Sequence, residues 1–262
     1  MISLYDYPFA RLAEQAGIDL LLVGDSLGMV VQGHDSTVPV TLNDIIYHSR
    51  AVRRGAPHTH VVADMPFLTY QVDTGRAIEN AGRLLQEGGA DSVKLEGGQE
   101  VAANLEAIVR AGISVMAHIG LTPQTAGALG GFKVQGRDVA SASKILADAR
   151  AVADAGAYAI VVEAVPAELG ELITSSVPIP TIGIGAGPGC DGQVLVAHDL
   201  LGLQERIIGR FAKVYANIGE QIERAFAEFA SEVEAGSFPG AENSYRTPPD
   251  LIEQLYSPDV KS

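Results

Sequence analysis

Residues 142–163, ASKILADARAVADAGAYAIVVE, decide how the chain folds. Residues 142–155 form an amphipathic stretch, and Gly156 stops it, because the residue past a last helical turn adopts a left-handed conformation that side chains resist. Residues 158–162 are an unbroken apolar run that ends in the carboxylate of Glu163. Continuous rather than alternating apolarity suits a strand covered on both faces, hence a parallel sheet.

The same unit recurs upstream. Residues 9–16 lead through Gly17 to the apolar run 20–23 and then Asp25. Residues 77–86 lead through Gly88-Gly89 to 92–95 and Glu96, and residues 101–110 lead through Gly112 to 114–117 and His118. Two further runs, 60–63 ending at Asp64 and 180–184 ending in glycines, fit the same role, and the weaker candidates 2–4 and 193–196 complete a set of eight. Strand–helix alternation without a break in composition predicts an α/β fold, a single (β/α)8 TIM barrel rather than a doubly wound sheet. The 262 residues suit one such domain spanning 1–262. A helical extension is expected over about 211–236, followed by a loose Pro-rich tail over about 237–262.

Composition excludes several classes of function. Hydrophobic residues make up 47% of the chain, enough for a sizeable core and too much for wholesale disorder. The 18 basic and 32 acidic residues leave a net charge of −14, a field that repels nucleic acid and anionic lipid. The single cysteine can form neither an internal disulfide nor a four-thiolate metal site. With no basic-then-apolar leader and no apolar run of roughly 20 residues, a cytoplasmic protein is expected, without membrane or nucleic-acid partners.

Barrel enzymes carry their chemistry at the C-terminal ends of the strands. The residues there are Asp25, Ser26, Asp64, Lys94, Glu96, His118 and Glu163. Taken singly, Asp25 and Asp64 read as caps of helices or turns. Taken with Glu96, they offer three carboxylates from three strands, an all-oxygen set that suits Mg²⁺ better than Zn²⁺. Lys94 and Glu96, two apart, share one face of their strand. Lys94 reads either as an ion pair at the rim or as a cation for a substrate carboxylate or enolate oxygen. Glu163 ends the most apolar strand, where burial favours a general base; a buried glutamate paired with Lys or Arg is the structural alternative. His118 reads equally as an acid/base or positioning group and as a satisfied core histidine.

Two patterns are set aside. Residues 187–192, GPGCDG, match G-x-G-x-x-G, but a strand rather than a helix follows, and Asp191 would repel a pyrophosphate. Cys190 lies in that loop without a base nearby in sequence, and the remaining histidines show no metal spacing.

Longer strings carry a resemblance. Residues 22–29 (LVGDSLGM), 32–37 (QGHDST), 53–57 (RRGAP), 63–67 (ADMPF), 93–98 (VKLEGG), 118–124 (HIGLTPQ), 131–137 (GFKVQGR), 182–187 (IGIGAG) and 191–193 (DGQ) closely resemble the ketopantoate hydroxymethyltransferase family. Matches run from about residue 5 to 245. The resemblance implies a Mg²⁺-dependent barrel enzyme that transfers a hydroxymethyl group from 5,10-methylenetetrahydrofolate to 3-methyl-2-oxobutanoate. The product is 2-dehydropantoate, on the route to pantothenate and coenzyme A, formed through a Mg-stabilised enolate. It further implies Asp25, Asp64 and Glu96 at the metal, with Glu96 able to act through water. Asp25, Ser26, Asp64 and Lys94 fall on the ketoacid, Glu163 is the proton acceptor, and the assembly is a homo-oligomer, commonly a decamer.

Two departures from the family pattern stand out. The family usually carries a leading segment with a capping helix before the first strand, whereas residues 1–8 begin almost at that strand, and Gly209-Arg210-Phe211 stands where a Pro-Lys-Phe-like string is expected. A related lyase or mutase barrel would use a loop cysteine in a Lys-Lys-Cys-Gly-His setting, which Cys190 does not have. A non-catalytic assembly subunit would not need Asp25, Asp64, Lys94, Glu96 and Glu163 all intact.

Overall fold

The computed structural model describes residues 1–128, 130–204 and 209–256. These divide into two compact units, Met1–Ala216 and Asn217–Ser262.

The first unit opens with β1 (Ile2–Ser3), α1 (Tyr7–Gln15), β2 (Leu20–Val23), α2 (Leu27–Val30), α3 (Leu42–Gly55) and β3 (His60–Asp64). It continues with α4 (Thr74–Gln86), β4 (Ser92–Glu96), α5 (Ala102–Arg110), β5 (Val115–Gly120), α6 (Val139–Asp154) and β6 (Ala159–Glu163). It closes with α7 (Ala167–Ser176), β7 (Thr181–Ile184), β8 (Gly192–Gln193), β9 (Leu195–Val196) and α8 (Ala197–Leu200). All strand pairs are parallel, in the order β8-β7-β6-β5-β4-β3-β2-β1-β9, a nearly closed barrel.

The eight expected staves are present, the last broken in two. Gln193 pairs with Gly183 on one side and Val196 with Ser3 on the other. Between them Val194 donates its N–H to the Gly183 carbonyl at 2.9 Å. The glycine stop read at residue 156 takes φ +96°. Helix starts are set by carboxylates that accept backbone N–H groups: Asp6 for α1, Asp73 for α4 and Asp138 for α6. Helix α3 lacks a marked place in the glycine pattern; its start is fixed by a reciprocal Thr41–Asp44 capping box.

Side-chain alternation along the strands positions the site. Leu22, Val62, Met116, Val161 and Ile182 point into the barrel and pack as an inner core with Tyr158 and Met1. The outer core lies between strands and helices. Two residues beyond Val62, Met116 and Val161 come Asp64, His118 and Glu163, which therefore face inward one layer nearer the mouth.

The helical extension differs from the expected 211–236. Residues 211–216 belong to the first unit, where Tyr215 donates its N–H to Leu200 at 2.8 Å and Phe211 closes over Gly185 and Gly209. These contacts override helix propensity. In the second unit α9 runs Ile218–Ala235 and ends at Gly236. The expected loose tail contains a short 3-10 turn, Ala241–Asn243, and α10 (Leu251–Tyr256). Among the described residues no helix is long and apolar enough to cross a membrane.

Candidate active site

A cavity of about 1040 Å³ opens at the C-terminal ends of the strands. Asp25, Ser26, Asp64, Lys94, Glu96, His118 and Glu163 all line it, so every residue singled out at a strand end reaches one chamber. Except for Ser26 and Glu163 these side chains are buried.

The carboxylates are tied to one another. The Asp25 N–H donates to Asp64 Oδ2 at 2.9 Å, and Lys94 Nζ lies 2.8 Å from Asp64 Oδ1. Among the described residues Asp64 Oδ1 has no partner other than this ion pair with Lys94. Losing one partner of so buried a pair costs about 3–5 kcal/mol, because the other charge is stranded. Burial pushes Asp25 well above the usual carboxylate range, and the charges of Asp64 and Glu96 push it further. Burial also raises Asp64, against the pull of Lys94. Burial works against the Lys94 charge, yet the surrounding Asp64, Glu96 and Asp25 hold its pKa above the ordinary lysine value.

His118 joins the two halves of the chamber. Its Nε2 lies 3.1 Å from Glu163 Oε2, and its Nδ1 lies 3.3 Å from Lys94 Nζ and 3.5 Å from Glu96 Oε1. Burial and Lys94 oppose its charge, but the contacts to Glu163 and Glu96 win and raise its pKa to about 9. Glu163 is thus partnered by a histidine rather than by the Lys or Arg of the structural alternative. Its side chain keeps 15% exposure, so it faces the cavity instead of the packed interior. The next residue, Ala164, is held at φ +49° by two 2.8 Å backbone bonds, its N–H to Ile184 and its carbonyl from Gln135. Such a non-glycine left-handed residue stores about 1–3 kcal/mol of strain beside Glu163.

Ser26 is oriented by Tyr5, whose hydroxyl lies 2.8 Å from Ser26 Oγ and accepts from Ser3 Oγ at 3.2 Å. Gly24 is what lets these groups meet, since a Cβ there would lie 2.9 Å from both serine hydroxyls.

Two further residues, Gln124 and Tyr70, organise the site without any prior sign from strand ends. Gln124 Nε2 donates to Asp25 Oδ2 at 2.8 Å and to the Met65 carbonyl at 2.9 Å, while its backbone N–H donates to Glu96 Oε2 at 3.0 Å. The Tyr70 hydroxyl lies 2.8 Å from Gln124 Oε1 and accepts the Glu96 N–H at 3.1 Å. The available signal was the string 118–124, which ends on Gln124.

The residues fit a divalent cation. Asp25, Asp64, Glu96 and Glu163 set four carboxylates against Lys94 and His118, and among the described residues Asp64 Oδ1 is held only by its ion pair with Lys94. Among the described residues no group of three or more His, Cys, Asp or Glu side chains forms a metal cage. Mg²⁺ needs none, because it is commonly held by one or two carboxylates and completes its shell with water and substrate oxygens.

A parallel barrel with acids, a lysine and a histidine gathered at its C-terminal mouth defines an α/β-barrel enzyme. Residues 1–241 match the model of the ketopantoate hydroxymethyltransferase family. The chain belongs to that family and is a hydroxymethyltransferase. It is 55% identical over 256 residues to 3-methyl-2-oxobutanoate hydroxymethyltransferase from Carboxydothermus hydrogenoformans, covering 98% of this chain and 93% of the relative. It is 57% identical over 246 residues to the enzyme of the same name from Moorella thermoacetica, covering 94% and 91%. The fold is also that of 2,3-dimethylmalate lyase, a PEP mutase/isocitrate lyase superfamily member, with TM-score 0.59 at 18% identity over 97% of this chain and 88% of that one.

Proposed function

We propose that the chain transfers a hydroxymethyl group from 5,10-methylenetetrahydrofolate to 3-methyl-2-oxobutanoate, forming 2-dehydropantoate for pantothenate synthesis. The observation that carries this reading is the meeting of Asp25, Asp64, Lys94, Glu96 and Glu163 in one chamber at the barrel mouth.

Asp25 and Asp64, with Glu96 acting through water, would hold a Mg²⁺ ion, which when bound draws electron density from the ketone oxygen and so acidifies the neighbouring C–H. Lys94 and the Ser26 hydroxyl bind and orient the ketoacid. Glu163 takes the proton from its C3, and His118, 3.1 Å away, steadies that carboxylate on one side. The donor's CH2 is held by two folate nitrogens. Water adds its oxygen to that carbon and gives a proton to the first nitrogen as one C–N bond breaks. The enolate carbon then bonds to the CH2OH carbon as the second C–N bond breaks, the second nitrogen taking the proton that Glu163 removed.

The decisive measurement is solvent-deuterium uptake at C3 of 3-methyl-2-oxobutanoate without folate, with Mg²⁺ and again with EDTA. Uptake that EDTA abolishes, and 2-dehydropantoate appearing once the donor is added, is the expected result; no uptake under either condition overturns the reading. The same resemblance supports a cytoplasmic homo-oligomer, a decamer being the family's common form, which light scattering after size exclusion would test.

A further inference from the structure

A ketoacid of eight heavy atoms fills little of the chamber. At about 1040 Å³, it lies at the upper end of the roughly 300–1,000 Å³ that suits drug-sized ligands. Beyond the acidic floor the walls become apolar and aromatic, with Met29, Val30, Phe132, Val134 and Phe211 among the lining residues. One more carboxylate lines this chamber and has no part in the chemistry above: Asp199.

Its position follows from the topology. Strand β9 pairs with β1 so that Val196 sits level with Ser3, which in turn pairs with Leu22. Asp199 comes three residues after Val196, and Asp25 three after Leu22, so both lie past the C-terminal strand ends on the side where the chamber opens. The segment leading to Asp199 is itself chamber wall, through Val194, Leu195 and Val196. Among the described residues Asp199 makes no side-chain hydrogen bond or ion pair, although Lys133 and Arg210 line the same chamber. Burial pushes its carboxyl above the usual range, with no partner among the described residues to offset the cost. A half-buried carboxylate without donors among the described residues carries a cost that a ligand's N–H groups would remove.

We infer that Asp199 recognises the pterin ring of the one-carbon donor, its two oxygens accepting the ring N3–H and the 2-amino N–H that lie side by side on one edge. This rests on the folate reading above and adds which residue reads the ring. Paired N–H donors match a carboxylate in the bidentate geometry familiar from guanidinium groups. The flat ring suits the aromatic and apolar walls, whereas a flexible ammonium would gain little from them.

The test is calorimetric titration of the full chain with tetrahydrofolate under anaerobic conditions. An analogue carrying hydrogen in place of the 2-amino group is titrated alongside. Wild type, Asp199→Ala and Asp199→Asn are compared, with circular dichroism melting as the check that each is folded. Both substitutions are expected to weaken tetrahydrofolate binding at least about tenfold, the scale of a lost charge-assisted hydrogen bond. Wild type should disfavour the analogue by a similar factor, and Asp199→Ala should bind both molecules alike. Folded variants that bind tetrahydrofolate as wild type does would overturn the assignment. Wild type binding both molecules equally would do so as well, without any variant. Wild type that binds no tetrahydrofolate would overturn the donor reading and the Asp199 assignment with it, so the two failures are distinguishable.

Discussion

Gln124 holds Asp25 through its side chain and Glu96 through its backbone: Nε2 donates to Asp25 Oδ2 at 2.8 Å while the N–H donates to Glu96 Oε2 at 3.0 Å. One residue thereby fixes the spacing of two carboxylates from different strands. Its own orientation is set by the Tyr70 hydroxyl, which lies 2.8 Å from Gln124 Oε1. Gln124→Met keeps the length of the side chain and removes both polar ends, leaving Asp25 to turn and Tyr70 to lose a partner. Residues that orient metal-binding groups typically contribute about 10–100-fold to affinity. Mn²⁺ titration followed by electron paramagnetic resonance should therefore show binding weakened by that factor, and unaltered Mn²⁺ affinity would contradict the role given to Gln124.

Glu163→Gln separates binding from proton removal. The amide retains the size of the glutamate and a contact for His118, but it cannot accept a proton at neutral pH. Ketoacid binding should persist within a few-fold, while deuterium uptake at C3 falls by about 10²–10⁴, the contribution typical of general base catalysis. Undiminished uptake would remove Glu163 as the base.

The strand ends were legible because burial on both faces forces unbroken apolar runs, so a charge that terminates one stands out. β2 occupies residues 20–23, the apolar run as read, and β3 and β4 occupy 60–64 and 92–96, the runs read from that pattern together with their terminal acids. Gln124 was not legible as a partner of Asp25. It lies in a short 3-10 turn after β5, and the contact spans 99 residues of chain, so no local periodicity reports it. The start of α9 was misplaced for a related reason. Residues 211–216 carry helix-compatible side chains, but Phe211 packs over Gly185 and Gly209, a tertiary contact with no signature in a sequence window.

Gly24→Ala should damage the site by crowding. The added methyl would lie 2.9 Å from Ser26 Oγ and Ser3 Oγ and 3.4 Å from Asp64 Oδ2. Relief requires the Tyr5-centred hydroxyl cluster to spread, moving Ser26 from its place beside Asp25. Overpacking of this kind costs about 1–3 kcal/mol. The urea midpoint should fall with an unchanged slope, and ketoacid affinity should fall with it. A wild-type midpoint would mean the cluster tolerates the methyl.

His198 sets a pH dependence of stability separate from the chemistry. It packs beside the rings of Tyr5 and Phe9, with centroids 5.5 and 6.1 Å away, and its Nδ1 is buried without a hydrogen bond among the described residues. Burial lowers its pKa below 6.5, more than the nearby Asp6 raises it. The folded chain therefore resists protonation that the unfolded chain accepts. Between the lowered folded value and 6.5 the unfolded state binds more protons, so this contribution to stability is full above 6.5 and declines as the pH falls through that window. His198→Phe keeps the ring contacts and removes the titration. The wild-type minus variant difference in unfolding free energy should be flat above about pH 7 and turn progressively against wild type on acidification below 6.5. A difference that stays constant from neutral pH down to pH 5 would show that His198 does not titrate between the two states.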